Sequence, residues 1–146
     1  MKKKYYFVIL FLALAIFLSG CAGGGIVTPA TDEAKVKSVI QEYFLARNDK
    51  DWSKAKSYCV YESDQYYTTC GFEDAVNALE QYYGIVTTTS FVYIYNVSIA
   101  GNYADAYLEI TIFITAGVYN DSGVTTGYYY LQKVGNTWKI YSSSQV

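Results

Sequence analysis

FVYIYNVSIAGNYADAYLEITI, running from Phe91 to Ile112, decides the fold. Apolar and aromatic residues alternate with others on both sides of Gly101-Asn102, as expected of two half-buried strands joined by a two-residue turn. Glycine in first position suits a type II′ turn, which needs a positive φ there. That turn sets Ala100 opposite Tyr103, then Ile99, Val97, Tyr95, Tyr93 and Phe91 opposite Ala104, Ala106, Leu108, Ile110 and Ile112. This face is wholly apolar or aromatic. The other face pairs Ser98 with Asp105, Asn96 with Tyr107 and Ile94 with Glu109, so it is mostly polar and should meet solvent.

Downstream the same composition continues to the end of the chain, so everything after Val86 reads as an antiparallel sheet of four strands or more. A loop over Asn120 to Gly123 would place Ile112 and Ile114 opposite Leu131 and Tyr129. A second glycine turn, Gly135-Asn136, then sets Lys133, Leu131 and Tyr129 opposite Trp138, Ile140 and Ser142. The inner face thereby carries Tyr93, Tyr95, Tyr129 and Trp138, which either line a pocket for a small apolar ligand or fill the core. The outer face gathers Phe113, Tyr128, Tyr130 and Tyr141, an aromatic patch suited to pairing two copies or meeting a cell-surface partner.

Upstream the period is helical. Val36, Val39, Ile40, Tyr43 and Phe44 form one apolar stripe, with Asp32 and Glu33 in the first turn, where the helix dipole favours negative charge. Asn48-Asp49-Lys50-Asp51 breaks that pattern and offers a cap to a short second helix through Trp52, Ala55, Tyr58 and Cys59. Cys59 to Cys70 has room for one short strand. Phe72, Ala75, Val76, Leu79, Tyr82 and Tyr83 mark a third helix, ended by Gly84.

The N-terminus has a different character. Lys2 to Lys4 precede an apolar run from Phe7 to Leu18, too short to span a bilayer core of about 30 Å as a helix. Leu18-Ser19-Gly20-Cys21 resembles the lipobox of prokaryotic lipoproteins. The resemblance implies a signal peptide over residues 1–20, lipidation of Cys21, and a membrane-anchored protein on the extracytoplasmic side. Residues 21–30, with three consecutive glycines and the one proline, read as a tether, leaving one domain over 31–146. Removing the leader takes three lysines and leaves eight basic against thirteen acidic residues. No basic patch survives, so nucleic acid is not an expected partner.

Histidine is absent, which rules out Ser-His and Cys-His nucleophile pairs. No catalytic residue, metal site or cofactor is expected. Cys59 and Cys70 are read as a disulfide of the exported domain, with two buried thiols as the alternative. Asn96-Val97-Ser98 and Asn120-Asp121-Ser122 fit N-glycosylation acceptors, and Asn120, expected in a turn, suits modification better.

Leu131-x-Lys133-x-Gly135-x-x-Trp138-x-Ile140, together with Asn48-Asp49-Lys50-Asp51-Trp52-x-x-Ala55, resembles the NTF2-like, or cystatin-like, superfamily across roughly Thr31 to Ser142. The resemblance implies an α+β cone in which helices cover the concave face of a curved sheet. This fold hosts enzymes, binding proteins and assembly modules alike. A non-catalytic binding or assembly domain is the expectation, because Asp105 and Glu109 read as outward-facing. A small enzyme like the ketosteroid isomerase or SnoaL-like branches, acting on an apolar ligand in the cone, is the alternative.

Overall fold

A computed structural model describes residues 30–146. Cys21, with its expected lipidation, and nearly all of the leader and tether lie outside the described residues. Among the described residues three helices precede the sheet: α1 (Asp32–Asn48), α2 (Trp52–Ser57) and α3 (Asp64–Tyr83). Four strands follow: β1 (Val86–Ala100), β2 (Tyr103–Ala116), β3 (Tyr119–Val134) and β4 (Thr137–Gln145), ordered as an antiparallel meander.

Each helix begins on a side-chain cap. Thr31 Oγ1 accepts from Ala34 N at 3.2 Å, Asp51 Oδ1 from Lys54 N at 3.0 Å, and Ser63 Oγ from Tyr66 N at 3.2 Å, each satisfying a first-turn N–H that the helix itself leaves free. Gly84 ends α3 at φ 84°, as its position suggested. The third helix is longer than its apolar stripe. It starts at Asp64, so most of the Cys59 to Cys70 segment is helix, and its only extended pairing is a bridge from Cys59 to Ile140. There Val60 N donates to Ile140 O at 2.8 Å and Ile140 N to Tyr58 O at 2.9 Å, which covers part of the β4 edge.

The segment after α1 locks helices to sheet. Asn48 spans Ser90, its Nδ2 donating to Ser90 O at 3.0 Å and its Oδ1 accepting from Ser90 N at 2.7 Å. Lys50, at φ 56°, sends its ammonium to both Glu80 and the Val86 carbonyl. A sequence stretch that merely interrupts a helix thus ties α1 to α3 and β1.

The core lies between the helices and the concave sheet face. Val36, Ile40, Tyr43 and Phe44 of α1, with Ala55 and Cys59, pack on Ala104, Ala106, Leu108, Tyr129, Leu131, Trp138 and Ile140. A smaller cluster of Val76, Val86 and Ala116 closes the far end with Trp52, Phe72, Leu79 and Ile114. At roughly 1.5–3 kcal/mol per fully buried large apolar side chain, this packing is the main force holding helices to sheet.

Three Gly-x turns connect the strands, at Gly101 (φ 62°), Gly117 (φ 61°) and Gly135 (φ 63°). The middle one corrects the sequence reading: Asn120 to Gly123 lie within β3, and the turn is Gly117-Val118. Asn120 is therefore an exposed strand residue opposite Thr115, and the glycosylation acceptor does not sit in a turn.

Candidate interaction face and the filled cone

Two β-bulges determine what the outer face displays. In β1 the register shifts between Ile94 and Asn96, so that Ile94 pairs with Leu108 and Tyr93 with Glu109, while Tyr95 is the extra residue. A bulge lets two successive side chains share a side and re-aims the rest of the strand. Tyr93 and Tyr95 therefore stand on the solvent face, which corrects their expected place inside the cone. Val92 and Ile94 pack against the core instead. Aliphatic groups bury without needing a partner, whereas each phenol would need one. In β4 a second shift, between Tyr130 and Leu131, leaves Tyr141 as the extra residue on the same outer face.

The result is a continuous run of six tyrosines across all four strands. Ring centroids are separated by 4.8 Å from Tyr93 to Tyr95, 5.6 Å from Tyr95 to Tyr107, 5.0 Å from Tyr107 to Tyr128, 6.2 Å from Tyr128 to Tyr130 and 6.2 Å from Tyr130 to Tyr141. These spacings are those of stacked and edge-to-face aromatic pairs, each contributing about 0.5–1.5 kcal/mol beyond area burial. Phe113 is not part of the run. It packs edge-on against Phe91, 6.1 Å away, and extends the aromatic surface along the sheet. Two hydroxyls have polar anchors here: Tyr95 donates to Glu109 Oε2 at 3.0 Å, and Tyr130 meets Ser144 Oγ at 3.3 Å. The hydrogen bond to the Glu109 carboxylate, which is lost on ionisation, holds the Tyr95 phenol above its usual range.

Inside the cone, Tyr129 and Trp138 fill the core, the second of the two readings given to them. The Tyr129 ring packs 5.6 Å from Phe44 and 6.5 Å from Tyr43, and burial raises its phenol strongly. Trp138 is 1% exposed, its Nε1 donating to Asp32 Oδ1 at 3.4 Å. With Tyr93 and Tyr95 outside, the four residues read as either pocket lining or core do not share one site.

A polar cluster that periodicity did not reveal lies beside them. Gln65 Nε2 donates to Tyr43 Oη at 2.8 Å, Tyr43 Oη meets Thr69 Oγ1 at 2.9 Å, and Thr69 donates to Gln65 O at 2.8 Å. Gln65, Thr69, Phe72, Val76 and Leu79 recur at helical spacing, so a stripe that admitted polar residues would have included them. Arg47 is 7% exposed, with Phe72, Phe44 and Tyr43 rings 4.0, 5.2 and 5.4 Å from its guanidinium carbon; no carboxylate pairs with it among the described residues. Its Nε, like Gln65 Oε1, is buried without a hydrogen-bond partner.

Cys59 and Cys70 are free thiols, so the expected disulfide is not found. Cys59 Sγ lies 3.7 Å from both Ala55 O and Thr69 Oγ1, and burial pushes its thiol up to about 11. Cys59 is buried in the core, whereas Cys70 lies half-buried on α3. Among the described residues no cluster of His, Cys, Asp or Glu could hold a metal ion.

The helix-covered curved meander matches many solved structures. Aln2 from a Streptomyces species superposes with a TM-score of 0.64 at 10% identity, covering 82% of this chain and 94% of that one. A candidate dehydratase of the NTF2-like family from Streptomyces avermitilis gives 0.63 at 14% identity, covering 80% and 97%. An NTF2-like protein with a cystatin-like fold from Novosphingobium aromaticivorans gives 0.60 at 14% identity, covering 78% and 80%.

The chain has the NTF2-like fold.

No protein-family model matches it, and no curated protein does. At these identities the likeness establishes the NTF2-like architecture alone, and its chemistry has to be argued from side chains. In this NTF2-like domain Asp105 and Glu109 stand on the outer, tyrosine-bearing face, opposite Tyr130 and Tyr93 respectively.

Proposed function

We propose that this chain is a lipoprotein anchored through Cys21 on the extracytoplasmic side of a membrane, whose NTF2-like domain acts as a non-catalytic assembly module. The tyrosine-bearing outer face associates with a second copy. One observation carries this reading: six tyrosines form an unbroken run across the convex face of the sheet, Tyr93, Tyr95 and Tyr128 exposed and Tyr107, Tyr130 and Tyr141 half-buried. Tyrosine provides large contact area at little conformational cost and is enriched in interface cores. Two sheets meeting through such a face would sit about 10 Å apart with interdigitated rings. The anchor reading rests on the lysine-led apolar run and Leu18-Ser19-Gly20-Cys21. The non-catalytic reading is supported by a cone interior filled with Leu108, Tyr129, Leu131 and Trp138.

Light scattering of the full chain in detergent micelles tests the assembly, comparing the native protein with Tyr128→Lys. Tyr128 suits this better than Tyr130, because a lysine at Tyr130 would lie opposite Asp105, whose carboxylate would pair with the new charge and blunt its effect on the face. A dimer mass that falls to the monomer in Tyr128→Lys is expected. A monomer in both defeats the proposal.

Arg47 favours a second reading. A buried guanidinium that no carboxylate pairs among the described residues, set against the Tyr43, Phe44 and Phe72 rings, suits an anionic ligand or a small enzyme of the ketosteroid isomerase or SnoaL-like type. Thermal shift with apolar carboxylic acids separates the two. Stabilisation abolished by Arg47→Met would move the function into the cone.

A further inference from the structure

The geometry points to Tyr95 as the preferred site of one-electron oxidation within the outer-face tyrosine run, its phenolic proton passing to Glu109 and the resulting radical coupling to a neighbouring tyrosine ring. A phenol gives up an electron far more readily when its proton can leave in the same step. With an ordinary pKa of about 10, tyrosine does not lose that proton to neutral water beforehand. Tyr95 has an acceptor already in place, since its hydroxyl donates to Glu109 Oε2 at 3.0 Å. It is also accessible at 53% exposure, and rings lie on both sides of it, Tyr93 at 4.8 Å and Tyr107 at 5.6 Å. From Tyr107 the contacts continue through Tyr128 and Tyr130 to Tyr141, so an electron vacancy formed on any of these rings has a short path to the one whose proton is best accepted.

The chemistry balances with a peroxide as oxidant, turned over by a haem peroxidase. Two tyrosines each lose one electron to the oxidant and one phenolic proton, at Tyr95 to Glu109. The two radicals join at ring carbons ortho to oxygen, forming one carbon–carbon bond, and the hydrogens on those carbons migrate to the phenolic oxygens. The peroxide takes up the two electrons and two protons and leaves as two waters. The product is a dityrosine within the run, and one between copies where two faces meet. Because the inference concerns a single chain's own hydrogen bond, it does not depend on self-association.

Exposure alone predicts something different. Tyr82 and Tyr61 are 81% and 72% exposed, more than Tyr95, yet neither donates to a carboxylate among the described residues. Tyr119 supplies an internal reference, donating to Asp121 Oδ2 at 3.1 Å, far along the sheet and stacked on Tyr83.

The test is brief treatment of the full chain in micelles with peroxidase and limiting hydrogen peroxide, followed by peptide mapping for cross-links that have lost two hydrogens. The earliest products should contain Tyr95 joined to Tyr93 or Tyr107, with Tyr119 also modified early. Glu109→Gln keeps an oxygen for the Tyr95 hydroxyl but cannot take its proton. It should lower the Tyr95 yield several-fold and leave Tyr119 unchanged, the latter also reporting that the variant is folded. Products appearing first at Tyr82 and Tyr61, or a Tyr95 yield indifferent to Glu109→Gln, would overturn the assignment.

Discussion

Asp32, the first residue of α1, lies 2.6 Å from the Lys133 ammonium near the end of β3, and its other carboxylate oxygen accepts from the Trp138 indole at 3.4 Å. One side chain thus fastens the first helix to the last hairpin, whose strands carry the largest buried residue. The hydrogen bond from Lys133 holds the Asp32 carboxyl below its ordinary 3.8. Because the folded state lowers this pKa, the contribution to stability is full above about pH 4 and is lost as pH falls through the lower folded value. Thermal melts taken between pH 5 and pH 2 should therefore decline more steeply for the native protein than for Asp32→Asn. Parallel curves would remove the helix-to-hairpin tie.

Gly127 is fixed by its neighbour on β4. A Cβ built there would come 2.0 Å from the Ser144 carbonyl oxygen, which is backbone and cannot step aside. Gly127→Ala should cost about 3 kcal/mol through overpacking and loosen the β3–β4 pairing. In contrast, Gly71 lies on an exposed turn inside α3 with nothing within 4 Å of where a methyl group would stand, and Gly71→Ala should stabilise by about 0.5–1 kcal/mol. Urea midpoints of the two variants moving in the same direction would contradict this account.

Within the core, Tyr43 serves Gln65 and Thr69 together, and all three are almost fully buried. Tyr43→Phe keeps the ring but strands the Gln65 amide without its acceptor. A loss of about 1–3 kcal/mol at unchanged denaturant slope is expected. An effect below a few tenths would mean that the network contributes nothing to stability.

Thiol labelling distinguishes the two cysteines. Burial that favours the neutral Cys59 thiol makes it a poor nucleophile at neutral pH, while Cys70 is half-buried. Apart from Cys21, the native chain should label at Cys70 first and at Cys59 only on unfolding. A chain that releases neither thiol without reductant would hold these two cysteines as a disulfide, contrary to the arrangement described.

The architecture is legible in the sequence because turns and periods agree over most of the chain, and where the two part the reason is local. Asn120-Asp121-Ser122-Gly123 has the composition of a turn, whereas Gly117-Val118 does not, since valine has no turn preference. The true register pairs Leu131 with Ala104, eight residues from the expected Ile112. Eight is even, so every inner residue of β3 stays inner, and Tyr129, Leu131 and Trp138 fall on the expected side. The β1 bulge is invisible for the opposite reason. Phe91, Tyr93 and Tyr95 alternate with Val92 and Ile94, so both faces of that stretch are apolar and periodicity cannot choose between them. The choice is made by burial of the aliphatics and by Glu109, which gives the Tyr95 hydroxyl a partner on the outside. Arg47, Gln65 and Thr69 are not legible because polar residues on a buried helix face carry no hydrophobic signal.

The most direct check on the outer face is to follow the tyrosine-ring resonances of the full chain in micelles across a concentration series. Self-association through this surface predicts that Tyr95, Tyr107, Tyr128, Tyr130 and Tyr141 shift together with one apparent constant, while Tyr61 and Tyr82 stay still. Shifts confined to Tyr61 and Tyr82, or rings of the run that stay fixed while the particle mass rises, would contradict it.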